Sequence, residues 1–360
     1  MHWLQRQWFR LTPWHVVLIP LSILFGLAVA LRRSLYRAGL LRAVRLAVPV
    51  IVVGNISVGG TGKTPLVLWL AGFLRQRGFH PGIISRGYGG GAAGTLAVDA
   101  GGDPAMVGDE PLLLARKSGC PVWVGRDRVA AGTSLLRAHP ECDVLLSDDG
   151  LQHYRLGRDV EIVAVDGERK FGNRLLLPAG PLREGISRLR SVDAVVVNGS
   201  LNENVAQRHF CILSRWRERI EVRASLPQGD GWRNEFEMRL EGREFYNLRN
   251  PSLRAAPADF RGKKLHAVAG IGNPQRFFEH LRGLGLTFEA HAFADHCAYR
   301  PQDLSYADAD ALLMTEKDAV KCAGFADERY WALAVDAVLA PGCGEMVVQK
   351  LRDIDGRKTA

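Results

Sequence analysis

Residues 48–77 decide the fold and read VPVIVVGNISVGGTGKTPLVLWLAGFLRQR. The opening run, from Val48 to Val53, is rich in β-branched residues, which is typical of a buried parallel strand. A glycine-rich turn follows it, and the apolar spacing from about Pro65 to Arg77 predicts a helix. The stretch therefore predicts a strand, a glycine-rich turn and a helix in direct succession.

The turn matches the phosphate-binding loop G-x-x-x-x-G-K-[ST], which requires a strand before it and a helix after it. Lys63 is expected to reach the β- and γ-phosphates of a nucleotide, and Thr64 to offer its hydroxyl to Mg²⁺. The alternative, a glycine-rich turn with a chance lysine, does not explain the strand, the glycines and the helix together. Ser57 stands where the motif has its first glycine. The residues expected to hold the nucleotide are Ser57, Val58, Gly59, Gly60, Thr61, Gly62, Lys63 and Thr64.

An acidic pair follows another buried run, at Asp148-Asp149. In phosphate-loop proteins an acid at the end of a neighbouring strand helps to hold Mg²⁺, directly or through water. Adjacent side chains point in different directions, so the two aspartates are expected to have different roles. The alternative is an acidic loop cap, and the sequence does not tell which of the two binds the metal directly.

Further apolar runs alternate with helical stretches, which predicts a doubly wound, mainly parallel α/β sheet of the P-loop NTPase type. A second, smaller α/β unit is expected from Leu265, with a helix ending near Leu284 and a last helix beyond Gly342. Between the two units, the alternation in EFEMRLEGREFYNL (residues 235–248) predicts a hairpin that turns at Glu241-Gly242. The other expected strands are 82–85, 143–147, 160–165 and 192–197, with further ones near Phe288, Leu312 and Trp331.

The N-terminus carries a long apolar run, LTPWHVVLIPLSILFGLAVAL at residues 11–31, without any charged residue. About 20 apolar residues suffice to span a bilayer as a helix. Membrane association is expected, and a spanning helix and an interfacial helix both stay open; a cleaved signal peptide and a buried core helix are the alternatives. Basic residues suited to anionic headgroups flank the run, namely Arg6, Arg10, Arg32, Arg33, Arg37, Arg42 and Arg45.

Net charge, cysteine spacing and missing motifs limit the expected partners and the classes of P-loop protein that fit this sequence. A net charge of +9 favours anionic partners, which include nucleic acid, phospholipid and phosphorylated substrates. The 6 cysteines form no C-x-x-C pair, so their spacing predicts free thiols and no zinc site. There is no N-K-x-D segment for guanine, no signature loop of a transporter ATPase and no set of motor motifs. Interleaved aromatic and basic residues are also missing, so nucleic acid is not an expected partner.

Nine segments resemble, in order, the tetraacyldisaccharide 4′-kinase family of lipid A biosynthesis, over about Leu24 to Val335. They read GNISVGGTGKTP, ISRGYG, GDEPLLLA, VGRDR, SDDGLQH, PAGPLRE, AGIGNP, FADH and TEKDAV. The resemblance implies transfer of the γ-phosphoryl group of ATP to the 4′-hydroxyl of a tetraacylated disaccharide 1-phosphate, with Mg²⁺. It also implies two α/β domains joined by a β-ribbon linker, with the active site in the cleft between them. The expected boundaries are 1–47 for the membrane helix and connector, 48–200 for the kinase domain, 201–262 for the linker and 263–360 for the C-terminal domain.

Two residues of these segments match the family's catalytic pair. Asp109 corresponds to the base that accepts a proton from the sugar hydroxyl, although taken alone it fits a helix N-cap. His296 corresponds to the histidine of the second domain, expected to pair with Asp109. The family's usual pattern has Pro and a second His where this chain has Ala294 and Cys297. That departure leaves any role of the second position in doubt and leaves His296 intact.

Other polar residues are expected around the phosphates and the substrate. The resemblance implies that Arg183 contacts phosphate and that Glu184 lies on the metal side. Thr315 to Asp318 is explained adequately as a helix cap. Each arginine outside the motifs is as readily a solvated surface charge. The candidate substrate contacts are Arg86, Tyr88, Arg126, Arg128, Gln152 and His153.

A four-chain lipid does not leave the bilayer readily, since each buried CH₂ contributes about 0.8 kcal/mol. The enzyme is therefore expected to act at an anionic phospholipid surface, on the cytoplasmic face of the bacterial inner membrane where ATP is present. No obligate protein partner is inferred. The rival hypothesis is a membrane-tethered P-loop ATPase that regulates a partner protein.

Overall fold

The computed structural model describes residue 8 and residues 14–87, 90–91, 94–199 and 234–358. Tyr88 and Cys211 lie outside these residues. The strands are β1 Val50–Gly54, β2 Pro81–Ser85, β3 Thr95–Ala97, β4 Val122–Gly125, β5 Val144–Asp148, β6 Val160–Asp166, β7 Ala194–Asn198, β8 Glu235–Asn247, β9 Arg254–Ala255, β10 Leu265–Ala269, β11 Glu289–Ala292, β12 Ala311–Thr315 and β13 Tyr330–Leu339. The α-helices are α1 Trp14–Arg37, α2 Lys63–Gln76, α3 Pro104–Val107, α4 Asp109–Ser118, α5 Arg128–Ala138, α6 Pro274–Gly283, α7 Glu316–Cys322 and α8 Cys343–Lys358.

The first α/β unit is built around β1, which pairs in parallel with β5 on one side and β6 on the other. Alternate residues of β1 enter two different cores. Ile51 and Val53 pack with α2 and α4, whereas Val50 and Val52 pack with α5 on the opposite face. Because both faces are covered, the strand is apolar throughout, as parallel strands buried on both sides require. The predicted doubly wound, mainly parallel sheet is confirmed.

The second α/β unit repeats this arrangement on a smaller scale. Strand β10 lies between β11 and β12 with parallel pairing on both sides, and β12 pairs in parallel with β13. Phe277, Phe278 and Leu281 of α6 pack on one face, and Ala319 and Cys322 of α7 pack on the other. Each helix follows a strand directly, so both carry side chains to the carboxyl edge of the sheet.

The two units share one continuous sheet, because β8 joins them. Strand β8 pairs in parallel with β7 at residues 235–238 and antiparallel with β13 at residues 238–247. The order across the sheet is β11-β10-β12-β13-β8-β7-β6-β1-β5-β2-β4-β3, with β9 paired to β8.

The predicted hairpin at Glu241-Gly242 is wrong, because β8 runs as a single strand of 13 residues through that point. Its antiparallel partner is β13, some ninety residues later. The register shifts between Ala334 and Asp336, so that Gly242 lies at a β-bulge. A Cβ at Gly242 would lie 2.9 Å from the Ala334 carbonyl oxygen. The glycine therefore marks a close backbone approach in a bulge and not a turn.

Helix α8 belongs by packing to the first unit, although the expected boundary at residue 263 places it in the second. Cys343, Val347, Val348 and Leu351 enter the core that α2 and α4 share with β1. Arg77, the C-cap of α2, pairs with Glu345 of α8 at 2.8 Å. The chain thus crosses back to the first unit after β13.

Helix α1 presents the reverse of ordinary amphipathicity. It has 24 residues, and its most apolar stretch of 18 residues has a mean hydropathy of 2.2, so the helix is long and apolar enough to cross a membrane. Only 11% of that stretch is buried in the protein. The face that packs on the protein is polar: His15 lies beside Asn173, and the Ser22 hydroxyl donates to the Leu176 carbonyl at 2.6 Å. The reading as a buried core helix is therefore wrong. The exposed apolar residues of α1 include Trp14, Val16, Val17, Leu21, Ile23, Leu24, Leu27 and Leu31.

The described cysteines, 120, 142, 297, 322 and 343, are free thiols.

Candidate active site

The phosphate loop leaves β1 at Gly54 and enters α2 at Lys63. Gly59 and Gly62 have φ of 114° and 89°, a left-handed region that favours glycine. A Cβ at Gly62 would also lie 2.5 Å from the Asn198 Nδ2 atom. Ser57 forms an antiparallel bridge with Leu182 and does not have a positive φ, which explains why the first motif position tolerates a serine.

Asp149 lies between two cations at the end of β5. Its carboxylate is 3.4 Å from the Lys63 ammonium and 3.2 Å from the Arg183 guanidinium. Burial would raise the pKa of Asp149, but Lys63 and Arg183 outweigh burial and lower this pKa to about 2. Asp149 therefore stays ionised and holds Lys63 at the loop.

Asp148, the last residue of β5, has a different environment. Its side chain is buried; the Ser85 hydroxyl donates to Oδ2 at 3.5 Å, and Oδ1 has no hydrogen-bond partner in the described part of the chain. Burial and the charge of Glu110 raise the pKa of Asp148 to about 7. A buried carboxyl oxygen without a donor is a group that a cation would satisfy.

The donor set near the loop suits a hard cation. Three more buried oxygens have no hydrogen-bond partner among the described residues: Asn55 Oδ1, Thr61 Oγ1 and Ser147 Oγ. Mg²⁺ prefers oxygen ligands and keeps several waters. The residues present therefore fit Mg²⁺ bound beside a nucleotide, with Asp148 as the protein carboxylate.

Arg183, Glu184 and Gln152 form a polar cluster behind the loop. Gln152 Nε2 donates to Glu184 Oε1 at 2.8 Å and to the Asn55 carbonyl at 3.0 Å. The Tyr154 hydroxyl donates to Glu184 Oε2 at 2.5 Å. Both oxygens of Glu184 thus have protein donors, and Gln152 connects this carboxylate to Asn55, the residue that follows β1.

Asp109 and His296 meet across the cleft between the two units. His296 Nδ1 lies 3.1 Å from Asp109 Oδ1, although 187 residues separate them in the chain. The N-cap of α4 is Gly108, so Asp109 is the first helical residue and not the cap that it resembles in isolation. Asp109 is buried, and its Oδ2 has no hydrogen-bond partner among the residues described. That oxygen therefore has unused capacity to accept a hydrogen bond.

Lys317, on α7, completes this cluster. Its ammonium lies 3.0 Å from Glu110 Oε1, 3.2 Å from Asp295 Oδ1 and 4.0 Å from Asp109 Oδ2. It also lies 3.2 Å from His296 Nε2. Since an ammonium only donates, Nε2 of neutral His296 must accept, and Nδ1 then carries the proton donated to Asp109. Lys317 thereby selects the tautomer that leaves Asp109 as an acceptor.

The electrostatics of the pair follow from these contacts. Burial would raise the pKa of Asp109, yet the hydrogen bond from His296 and the charge of Lys317 hold this pKa below its usual value. The hydrogen bond to Asp109 raises the pKa of His296. His296 has φ of 59°, a left-handed conformation that costs a non-glycine residue about 1–2 kcal/mol. The surrounding contacts hold the ring in place despite that cost.

The sequence did not predict the position of Lys317 in the cleft, because residues Thr315 to Asp318 match the pattern of a helix cap. The cap itself is present, with Thr315 Oγ1 accepting from the Asp318 N–H at 3.2 Å. The same short helix also directs Lys317 into the cleft. The available signal was the lysine in the segment TEKDAV, one of the nine segments that resemble the family.

Two more second-unit residues approach the phosphate loop, and sequence reasoning singled out neither. A Cβ at Gly272 would lie 2.8 Å from the Gly60 nitrogen. Arg276 of α6 donates to Asn198 Oδ1 at 2.9 Å, and Asn198 Nδ2 donates to the Thr61 carbonyl at 3.3 Å. The loop is therefore in contact with both α/β units.

The candidate substrate residues are placed differently from one another. Arg86 and Arg126 are exposed. Arg128 is buried, and its guanidinium donates to the carbonyls of Gly125 and Asp148, the last residues of β4 and β5. Burial and the nearby Arg128 lower the pKa of His153 to about 4, so this imidazole is neutral.

Comparison with known proteins agrees with the resemblance of the nine segments. The family model described as Tetraacyldisaccharide-1-P 4′-kinase (LpxK) matches residues 14–352. A protein of Azoarcus sp. strain BH72 named Tetraacyldisaccharide 4′-kinase is 51% identical over 345 residues, covering 96% of this chain and 94% of that protein. One of the same name from Methylobacillus flagellatus is 48% identical over 349 residues, covering 97% of this chain and 96% of that protein.

A solved structure shows the same fold. The crystal structure of LpxK from Aquifex aeolicus in complex with ATP has a TM-score of 0.74 and 29% identity, covering 94% of this chain and 99% of that chain. The family match over nearly the whole length and the close relatives lead to one conclusion: this chain belongs to the tetraacyldisaccharide-1-P 4′-kinase family.

Proposed function

We propose that this chain transfers the γ-phosphoryl group of ATP to the 4′-hydroxyl of a tetraacyldisaccharide 1-phosphate, yielding the bis-phosphorylated lipid A precursor. The observation that carries the proposal is the Asp109–His296 contact at 3.1 Å, since a carboxylate oriented by a histidine can serve as a general base. Family membership gives the reaction, and we propose Asp109 as its proton acceptor.

ATP would bind along the phosphate loop, with backbone N–H groups and Lys63 on its phosphates. Mg²⁺ would be held by Thr64 and Asp148, and it supplies neutralisation of charge on the β- and γ-phosphates. Asp149 is proposed to hold Lys63 and Arg183 in place, since it contacts both cations. Glu184 is proposed as an outer support of the metal side, because protein donors already engage both of its oxygens.

The chemical step needs a base near the sugar hydroxyl. Asp109 Oδ2 would accept the proton of the 4′-hydroxyl as that oxygen forms its bond to the γ-phosphorus, and the bond from the γ-phosphorus to the β-phosphate oxygen breaks to release ADP. The Nδ1–H group of His296 donates a hydrogen bond to Asp109 Oδ1, and this contact would orient Oδ2 toward the 4′-hydroxyl. Arg183 would offset charge that develops on the transferred group.

Substrate and enzyme would meet at a membrane surface. The outward face of α1 is apolar over several turns, and arginines follow its C-terminal end. Such a helix can bury its apolar face in lipid while the arginines contact anionic phospholipid headgroups. Because ATP is cytosolic, we propose the cytoplasmic face of the bacterial inner membrane. Arg86 and Arg126 are exposed and are proposed as contacts for the substrate's phosphate.

The test is transfer of ³²P from γ-labelled ATP to extracted tetraacyldisaccharide 1-phosphate in mixed micelles by the purified chain. We expect the parent chain to form a labelled lipid product. In Asp109→Ala the rate of its formation should fall about 10²- to 10⁴-fold, the range for loss of a general base. Release of labelled phosphate without labelled lipid would instead indicate an ATPase. Near-normal lipid labelling by Asp109→Ala would reject Asp109 as the base.

A further inference from the structure

A second cluster of ligating side chains lies in the smaller α/β unit, on strands β10 and β11. His266 of β10 is in register with Glu289 of β11. Paired residues of parallel strands point to the same face of the sheet, and so does the residue two positions further along. His266, Glu289 and His291 therefore project from one face at the edge of the sheet. The backbone register itself brings two imidazoles and a carboxylate together.

The ligand atoms of this cluster are close. His266 Nδ1 lies 2.9 Å from His291 Nε2, which lies 3.8 Å from Glu289 Oε1. All the candidate ligand atoms fall within 4.8 Å of one another. In tetrahedral zinc sites, bonds of about 2.0–2.1 Å place neighbouring nitrogens about 3.3 Å apart. The two nitrogens need to separate by only about 0.4 Å to reach that spacing.

The other nitrogen of His266 is already oriented as in a metal site. His266 Nε2 lies 3.3 Å from Asp308 Oδ1. When Nε2–H donates to this carboxylate, the lone pair of Nδ1 points toward His291. Metal-bound histidines usually donate their second N–H to a carboxylate or carbonyl in this way, which fixes the ring and raises its basicity.

Packing around the two imidazoles excludes water from one side. Their rings are within 5° of parallel with centroids 5.1 Å apart, so with nitrogens 2.9 Å apart they meet edge to edge. The ring of Tyr306 covers both, at 4.5 Å from His266 and 4.2 Å from His291. His266 is buried, whereas the Glu289 side chain is 68% exposed and can turn inward.

We propose that His266, His291 and Glu289 form a binding site for a divalent transition-metal ion, with Zn²⁺ the best match. Two imidazoles and one carboxylate are a donor set that Zn²⁺ accepts, with a water in the fourth position. Mg²⁺ is a poor match, because it prefers oxygen ligands in octahedral geometry. The ion would cross-link edge strand β11 to β10, and β11 leads within four residues into His296. The site does not depend on the proposed kinase reaction.

The experiment uses the full-length chain in detergent, purified without a histidine tag and stripped of metal by a chelator. Titration with Co²⁺, followed by its visible d–d absorption, reports stoichiometry and geometry, and Zn²⁺ affinity is measured by competition with a chromophoric chelator. We expect one ion per chain, with absorption bands of a four-coordinate site. His291→Gln and Glu289→Gln should each weaken Zn²⁺ binding at least tenfold, and Asp308→Asn should weaken it 10- to 100-fold.

The control is His139→Gln. His139 Nδ1 contacts Glu141 Oε1 at 2.9 Å, a histidine–carboxylate pair that belongs to no three-ligand cluster in the described part of the chain. This variant should bind Zn²⁺ like the parent chain. Because Glu289 is exposed, Glu289→Gln should fold normally, and a given Zn²⁺ concentration should raise the Tm of the parent more than the Tm of this variant. A parent chain that binds no stoichiometric Zn²⁺ at micromolar concentration overturns the proposal, as does unchanged binding by both His291→Gln and Glu289→Gln.

Discussion

Replacing Lys317 with methionine tests how the cleft keeps Asp109, the proposed base, ionised. The Lys317 ammonium lies 4.0 Å from Asp109 Oδ2, and both side chains are largely buried, at 17% and 6% exposure. Two unit charges at that distance interact by about 4 kcal/mol at an effective dielectric constant of about 20. Since about 1.4 kcal/mol equals one pKa unit, the loss of Lys317 could raise the pKa of Asp109 by about 3 units at most. Water that enters beside the methionine reduces this shift, so we expect a rise of about 1–3 units.

The sign of the effect distinguishes it from a general structural loss. A base works only when it is ionised, so activity persists above its pKa and is lost below it. In the parent chain the pKa of Asp109 is held below its usual value, with burial opposing His296 and Lys317. In Lys317→Met the acid limb of kcat/KM against pH should therefore move to higher pH. Turnover should recover toward the parent value as the pH rises.

The assay is the pH profile of ³²P transfer to lipid, with two matched variants. Lys317→Arg keeps the charge and should keep the acid limb near its original position. Lys117→Met removes another contact between the two units, the 2.8 Å pair of Lys117 with Glu316, without touching Asp109. It should leave the acid limb unmoved. If Lys317→Met has an unchanged acid limb, or if Lys117→Met shifts it equally, Lys317 does not set the ionisation of Asp109.

Three further predictions concern other parts of the molecule. His296→Ala should lower kcat while changing the KM for ATP little, since it frees Asp109 Oδ1 without touching the phosphate loop; steady-state kinetics would show otherwise through a large rise in that KM. Gly62→Ala should abolish ATP binding in equilibrium dialysis, because a Cβ there lies 2.5 Å from Asn198 Nδ2 at φ of 89°, and Gly283→Ala, where a Cβ meets nothing within 4 Å, is its control. The pair Leu24→Glu and Leu27→Glu should release the chain from anionic vesicles in co-sedimentation, since both side chains are 62% exposed; unchanged binding would exclude α1 as the membrane contact.

The local parts of the fold follow from the sequence because short-range patterns determine them. The apolar run before Gly54 and the helical spacing after Lys63 predict β1, the loop and α2 with ends displaced by only a few residues. The loop glycines are required by backbone conformation at their own positions. Asp148 ends a strand beside β1 and Asp149 follows it directly, so parallel pairing alone places both near the loop.

Contacts between segments that are far apart in the chain could not be predicted from these short-range patterns. Gly242 reads as a turn because the sequence does not show that β13 pairs with β8 across a bulge. Helix α8 reads as part of the second unit because its packing partner, α2, lies far away in the chain. Lys317 reads as part of a cap because its three carboxylate neighbours come from distant segments. The Asp109–His296 contact was expected only through family resemblance, since no local pattern links residues on two units.

The continuity of the sheet through β8 limits how the cleft can open. Sliding of one unit past the other would break the ladder of β8 with β7 or with β13, so a twist of the ribbon around Gly242 is the less costly motion. Asp295, His296 and Lys317 all belong to the second α/β unit, which would move when the ribbon twists around Gly242. Opening of the cleft would move these three residues away from Asp109 together. The Asp109–His296 contact would then be lost as lipid enters or product leaves, and it would form again when the cleft closes.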